Sequence, residues 1–184
     1  MTTQPKKLLI LDRDGVINFD SDERIKTPAA WAPIPGSLAA IACLNQAGYR
    51  IVVATNQSGI GYGLFDIAAL NAIHEKMHRA AWAAGAHIDA VFFCPHTPAD
   101  RCGCRKPQPG MLLDIARRYQ TSLNGMPMVG DAQRDLAAAA VGCAPHLVLT
   151  GKGSATLAAG NLPANTQVHE DLHAFSLKLL DAHS

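Results

Sequence analysis

Two carboxylates, Asp12 and Asp14, flank Arg13 directly after the apolar run Leu8 to Leu11, and Gly15 follows them. Two acidic side chains so placed cannot both enter a core, and together they can do chemistry. A carboxylate that attacks a phosphoryl group forms an aspartyl phosphate, dividing one hard step into two easier ones. Its neighbour can protonate the leaving oxygen and then take a proton from the attacking water. Taken alone, the motif also fits an Asp-rich turn in which Asp14 opens the bend.

Three more clusters complement this pair. Thr55-Asn56-Gln57-Ser58-Gly59 follows an apolar segment and offers hydroxyl, amide and backbone donors that can cradle phosphoryl oxygens. Arg105-Lys106-Pro107, with Pro109-Gly110 behind it, sets two cations before a helix start and suits an anion. Val129-Gly130-Asp131, with Asp135 four residues on, places a carboxylate where it can share a Mg²⁺ ion with Asp12, since that ion prefers hard oxygen ligands. Singly, each also fits a plain polar turn, a solvated basic turn or a helix cap.

A fifth cluster is metal-like. Cys94, His96, Cys102 and Cys104 read C-x-H-x5-C-x-C on one segment without regular periodicity. Zn²⁺ takes four such ligands tetrahedrally, and a closed Cys₃His set leaves no open position, so the expected site is structural. It would organise the loop that carries Arg105 and Lys106. The other two of five cysteines, Cys43 and Cys143, lie in apolar surroundings and are expected as small buried hydrophobes. His74-Glu75-Lys76-Met77-His78 matches the H-E-x-x-H pattern of zinc hydrolases. No third ligand follows at a suggestive spacing, so these are read as surface histidines, and His146 and His169 carry no signal.

The elements that must position these residues alternate between strand and helix. Strands are expected at Lys7–Asp12, Arg50–Thr55, Ile88–Phe93, Met126–Gly130 and His146–Thr150. Helices are expected at Ser37–Ala47, from an Asp66 cap to Ala84, and at Gly110–Tyr119, Leu136–Val141 and Asp171–Leu180. Strict alternation predicts an α/β fold with a doubly wound parallel sheet. Ligands of such sheets sit beyond the carboxyl ends of the strands, where Asp12, Thr55 and Asp131 fall.

Composition sets the bounds. The chain has 184 residues, 48% hydrophobic and 17% charged, with a formal net charge of +1. One domain, residues 1–184, is expected at that length. A disordered acidic chain, a coiled coil and a disulfide-dense miniprotein are excluded. Near-neutral charge argues against a nucleic-acid partner. With no apolar span or secretory signal in view, the expectation is a cytoplasmic protein without a membrane partner, acting as a monomer.

In this order the motifs resemble the haloacid dehalogenase superfamily of phosphatases over Leu8 to about Gly151. The resemblance implies a Rossmann-like fold and Mg²⁺, with Asp12 as nucleophile and Asp14 as acid/base. Thr55 and Lys106 would stabilise the transferring phosphoryl group. Asp12, Asp131 and Asp14, the last through its backbone carbonyl, would hold the metal. The zinc-type loop, with DRDGVIN, TNQSG and CRKPQPGM, is similar to the branch acting on heptose bisphosphate and histidinol phosphate. That branch implies Cys94, His96, Cys102 and Cys104 as zinc ligands. It also implies substrate contacts from Arg13, Asn56, Gln57, Ser58 and Arg105. The implied reaction is removal of the C7 phosphate of a heptose bisphosphate, on the ADP-heptose route to lipopolysaccharide core. Histidinol phosphate is the alternative substrate, and a phosphate-binding scaffold without turnover the alternative class. Phe19-Asp20-Ser21-Asp22-Glu23 departs from the Gly-Tyr-Val run of many members, and the loop between the two ligand pairs is short. No long insertion separates Gly15 from Ser37, so the resemblance implies a capless enzyme.

Overall fold

The computed structural model describes residues 7–182. Six strands form one sheet: β1 (Leu8–Leu11), β2 (Arg50–Asn56), β3 (Ile88–Cys94), β4 (Pro127–Gly130), β5 (Ala144–Val148) and β6 (Gln167–His169). Their spatial order is β3-β2-β1-β4-β5-β6, and every pairing is parallel. The helices are α1 (Ser37–Gln46), α2 (Ile67–Ala83), α3 (Gly110–Tyr119), α4 (Gln133–Ala138), α5 (Gly153–Ala159) and α6 (Leu172–Asp181).

Side chains alternate across a strand, so each central strand feeds two cores. Leu9, Leu11, Ile51, Val53 and Val129 pack with Ile41 and Leu44 of α1, Ile73 and Met77 of α2, and Phe175 of α6. Leu8, Ile10, Val52, Ala54 and Met128 turn the other way, onto Leu112 and Ile115 of α3. A parallel sheet covered on both faces needs such continuous apolar strands, which is why β1 and β2 lack polar alternation. Asp66 caps α2 by accepting from the Ala69 amide, and the helix buries Leu70, Ile73, Met77 and Ala81. That is the face its spacing predicts. Asp171 caps α6 in the same way.

Several expectations need correction. The helix expected from Leu136 begins at Gln133, because the Asp135 carboxylate accepts from the Ala132 amide at 3.0 Å and fixes the first turn. β5 ends at Val148 rather than Thr150, freeing Thr150, Gly151 and Lys152 to turn over the carboxyl end of the sheet. α5 and β6 escaped the sequence reading. The first is alanine-rich, and the second is too short to display a period. Cys143 is buried as expected, but Cys43 is exposed: Ala40, Ile41 and Leu44 take the inward face of α1 and leave Cys43 outside.

Candidate active site

The strand order reverses beside β1, with β2 and β3 on one side and β4 to β6 on the other. A crevice opens at such a switch point, beyond the carboxyl ends of the strands. Asp12 leaves β1 there, its amide bonded to the Val129 carbonyl at 2.9 Å, so the starts of the Asp12 and Asp131 turns are side by side. Thr55 lies at the end of β2, in register with Phe93.

Lys106 is the electrostatic centre. The residue is 1% exposed; its ammonium lies 3.0 Å from Asp12 Oδ1 and 2.7 Å from Asp135 Oδ1, and donates to the Ala54 carbonyl at 2.6 Å. Burial works against its charge, but the two carboxylates outweigh it and hold Lys106 above its ordinary range. Burial likewise pushes Asp12 up. Lys106 and Arg134 overcome that push, and Asp12 ends below the usual carboxylate range. Its Oδ1 also accepts from the Arg13 amide at 2.7 Å. An ionised, oriented carboxylate is the form a nucleophile requires.

Asp14 is gripped from behind. Arg13 forks onto it, Nε to Oδ1 at 3.0 Å and Nη2 to Oδ2 at 2.9 Å, while Asn18 Nδ2 donates to Oδ1 at 2.8 Å. From the cleft side Gln57 Nε2 reaches Oδ2 at 3.1 Å and the Thr55 hydroxyl oxygen at 2.8 Å. Thr55 therefore accepts from Gln57 and keeps its own proton to donate.

Asp131 is surrounded by like charge. Burial, then Asp12 and Asp135, push its carboxyl up to about 7. Oxygen atoms of Asp12, Asp131 and Asp135 lie within 4.8 Å of one another. Asp131 Oδ2 accepts from the Lys152 amide at 2.8 Å, whereas Oδ1 is buried with no hydrogen-bond donor. A buried acceptor without a donor, amid crowded carboxylates, fits a hard divalent cation. Gly15 and Gly151, both with positive φ, press on this carboxylate. A Cβ on either would come within 2.0 or 2.2 Å of Asp131 Oδ2.

The Cys/His loop forms a second metal-type cluster. Its closest approaches are 3.3 Å from Cys104 Sγ to both Cys94 Sγ and His96 Nδ1, and 3.5 to 3.6 Å for the remaining contacts. Tetrahedral Zn²⁺ with ligand bonds of about 2.0–2.3 Å has edges of roughly 3.3–3.8 Å. Four soft or borderline donors at those separations fit that ion. The loop is tied to the β2 turn by the Gln57 amide on the Cys94 carbonyl and the Gly61 amide on the Pro95 carbonyl.

A polar cleft of about 190 Å³ opens over these groups, lined by Asp12, Asp14, Thr55, Asn56, Gln57, Ser58 and Arg105. Asp131 and Lys106 are buried outside the lining, each next to Asp12. Arg13 is the exception among the expected contacts. Its side chain is wholly buried behind Asp14 and reaches His74 Nε2 at 3.2 Å, so it does not meet the cleft. His74 is accordingly half-buried rather than a surface residue, while His78 is exposed. Asn56 spends its amide on the Lys106 backbone. Three wall cations, Arg24, Arg134 and Lys152, were not foreseen. Lys152 stands just past β5, the same strand-end position that singled out Asp12 and Asp131. Placing the end of β5 two residues too late concealed it.

A capless parallel α/β sheet carrying paired aspartates after β1, a threonine at the end of β2, a buried lysine and an aspartate after β4 defines a haloacid-dehalogenase-like hydrolase. Residues 103–175 match the HAD-hydrolase-like family. The chain is 61% identical over 175 residues to D-glycero-β-D-manno-heptose-1,7-bisphosphate 7-phosphatase of Bordetella bronchiseptica, covering 95% of this chain and 98% of that one. It is 52% identical to the protein of that name in Neisseria meningitidis serogroup A, covering 92% of each. The crystal structure of D,D-heptose 1,7-bisphosphate phosphatase from B. bronchiseptica, complexed with magnesium and phosphate, superposes with a TM-score of 0.94. Its identity is 59%, over 96% of this chain and 99% of that chain. The chain belongs to the D-glycero-β-D-manno-heptose-1,7-bisphosphate 7-phosphatase family. Among the described residues, no helix is long and apolar enough to cross a membrane.

Proposed function

We propose that this protein removes the C7 phosphate of D-glycero-β-D-manno-heptose 1,7-bisphosphate through an aspartyl phosphate at Asp12, supplying the ADP-heptose route to lipopolysaccharide core. The observation that carries the reading is the buried Lys106 bridging Asp12 and Asp135 beneath a cleft that Asp14 and Thr55 line. Relatives at 61% and 52% identity bear the β-anomer's name, which supports that anomer.

In this account an Asp12 oxygen attacks phosphorus and the bond to the C7 oxygen breaks. Asp14 gives its proton to that leaving oxygen. Water then attacks the phosphorus of the aspartyl phosphate, passes a proton to Asp14, and the bond to Asp12 breaks to release phosphate. Lys106 and the Thr55 hydroxyl offset charge on the phosphoryl oxygens, the principal demand of phosphoryl transfer. Asp12, Asp131 and the Asp14 carbonyl would hold Mg²⁺, which when bound supplies further positive charge at the phosphoryl group.

Ser58 and Arg105 would contact the substrate from the cleft wall, which Asn56 and Gln57 also line. Arg105 and Arg134 offer the wall cations that a second phosphate calls for, whereas Lys152 shares the wall with Asp20 and Asp22 and lies 3.3 Å from Asp20 Oδ2. Cys94, His96, Cys102 and Cys104 would hold a structural Zn²⁺ that shapes the Arg105–Lys106 segment. The chain is read as a single domain that works as a cytoplasmic monomer on a small phosphorylated sugar, with neither nucleic acid nor membrane as partner.

Phosphate release with Mg²⁺ tests the reading, comparing both anomers of heptose 1,7-bisphosphate with histidinol phosphate at equal concentration. The expected result is a clear kcat/KM preference for the β-anomer, leaving the 1-phosphate in the product. A preference for histidinol phosphate would keep the chemistry and replace the substrate. Release from none of them would remove the enzymatic reading.

A further inference from the structure

The H-E-x-x-H segment of α2 places His74 behind the acid/base rather than at a zinc ion. His74 Nε2 lies 3.2 Å from Arg13 Nη1, and the same guanidinium grips both oxygens of Asp14. A guanidinium has no acceptor, so His74 Nε2 must accept this bond and the ring carries its proton on Nδ1. Burial first, then the charge of Arg13, lower His74 to about 3, and the ring therefore stays neutral. Phe93 of β3 stands edge-on to it, with ring centroids 6.5 Å apart.

We infer that His74 is a positioning residue for Asp14, acting through Arg13. The inference rests on Asp14 being the acid/base. Two N–H groups of Arg13 hold Asp14, and a third, on His74, fixes the plane in which they lie. Without that anchor, Nη1 is a buried donor lacking its acceptor, and the fork is free to tilt. Asp14 then leaves the position from which it protonates the departing oxygen. His74 touches neither substrate nor metal ligand side chains, so its effect falls on proton transfer and not on binding.

The leaving group separates this role from a merely structural one. A sugar alkoxide departs only with a proton, whereas p-nitrophenolate departs without one. Because kcat/KM covers the steps through leaving-group departure, it should be measured for heptose 1,7-bisphosphate and for p-nitrophenyl phosphate, with Mg²⁺ present. His74→Leu should lower the sugar-ester value roughly tenfold or more and the aryl-ester value less than about threefold. His74→Gln places an amide oxygen near Nε2 and should restore most of the loss. Should His74→Leu fail to fold, as its melting curve would reveal, His74→Asn must show the split, because its acceptor falls short of Arg13. Equal losses on both esters, an unchanged sugar-ester value, or a His74→Gln variant no better than His74→Leu overturns the inference. Asp14→Asn is the control for the reading beneath it. If that variant shows no leaving-group split, Asp14 is not the acid, and both the assignment and the inference fall together.

Discussion

Asn56 and Lys106, fifty residues apart, are joined by a reciprocal pair of hydrogen bonds: Asn56 Nδ2 donates to the Lys106 carbonyl at 3.0 Å, and the Lys106 amide donates to Asn56 Oδ1 at 3.0 Å. The β2 turn thereby holds the backbone from which the Lys106 ammonium reaches Asp12. Each bond satisfies a main-chain group that the irregular loop leaves unpaired. Asn56→Ala should lower kcat about tenfold or more with little change in KM, because Lys106 loses its register while the cleft wall persists. Steady-state kinetics on the bisphosphate checks this, and a change confined to KM would instead mark Asn56 as a substrate contact.

Gly151 gives the metal site a second kind of support. A Cβ there would fall 2.2 Å from Asp131 Oδ2, at a backbone φ of 56°. Gly151→Ala should displace that carboxylate and weaken Mg²⁺ binding roughly 10–100-fold, the range for disturbed supports of metal ligands. Activity titrated against Mg²⁺ should shift to higher concentration, with turnover partly recovered at saturation.

The Cys/His cluster should matter at a distance. Arg105 Nη1 donates to the His96 carbonyl at 3.3 Å, linking the ligand loop to the cleft wall. Cys102→Ser should lose zinc, measured by metal analysis of the purified protein, and should expose residues 94–109 to limited proteolysis. Full zinc occupancy in that variant would refute the ligand set.

A buried histidine pair sets an acid limit on stability. His146 Nδ1 and His169 Nε2 are 3.1 Å apart, both packed against Phe175. Burial, with His169 and Lys178 adding to it, lowers His146 to about 4, while the unfolded residue titrates near 6.5. The unfolded chain therefore binds the proton first. This contribution to stability is whole above about pH 6.5, declines as pH falls toward 4, and changes no further below that. It amounts to about 3 kcal/mol at most. His146→Phe should flatten the fall in Tm between pH 6.5 and 4 relative to the unaltered chain, measured by thermal melts in matched buffers.

Most of what positions chemistry here was legible because it obeys period and place. β1 and β2 announce themselves as apolar runs ending in Asp12 and Thr55, and the α2 cap at Asp66 and its buried face follow from spacing alone. The Cys/His set was legible because four ligand-type residues so close together have few other uses. Partnership across the chain was not legible. Nothing in the order of residues says that Arg13 turns inward to His74, that Asn56 spends its amide on Lys106, or that Asp135 shares that ammonium. These pairings join segments far apart in the chain, 61 residues for Arg13 and His74 and 50 for Asn56 and Lys106, which only the assembled sheet and its helices bring into contact. β6, with three residues, is too short for any periodic signal.

Trapping a phosphorylated Asp12 tests its proposed role as nucleophile most directly. The enzyme, mixed with Mg²⁺ and the β-anomer of heptose 1,7-bisphosphate, is quenched with borohydride, which reduces an acyl phosphate to an alcohol. Peptide mass analysis should then find homoserine in place of aspartate at position 12, dependent on substrate and absent from Asp12→Asn. Reduction at another carboxylate, or phosphate release by Asp12→Asn at an undiminished rate, would contradict the account.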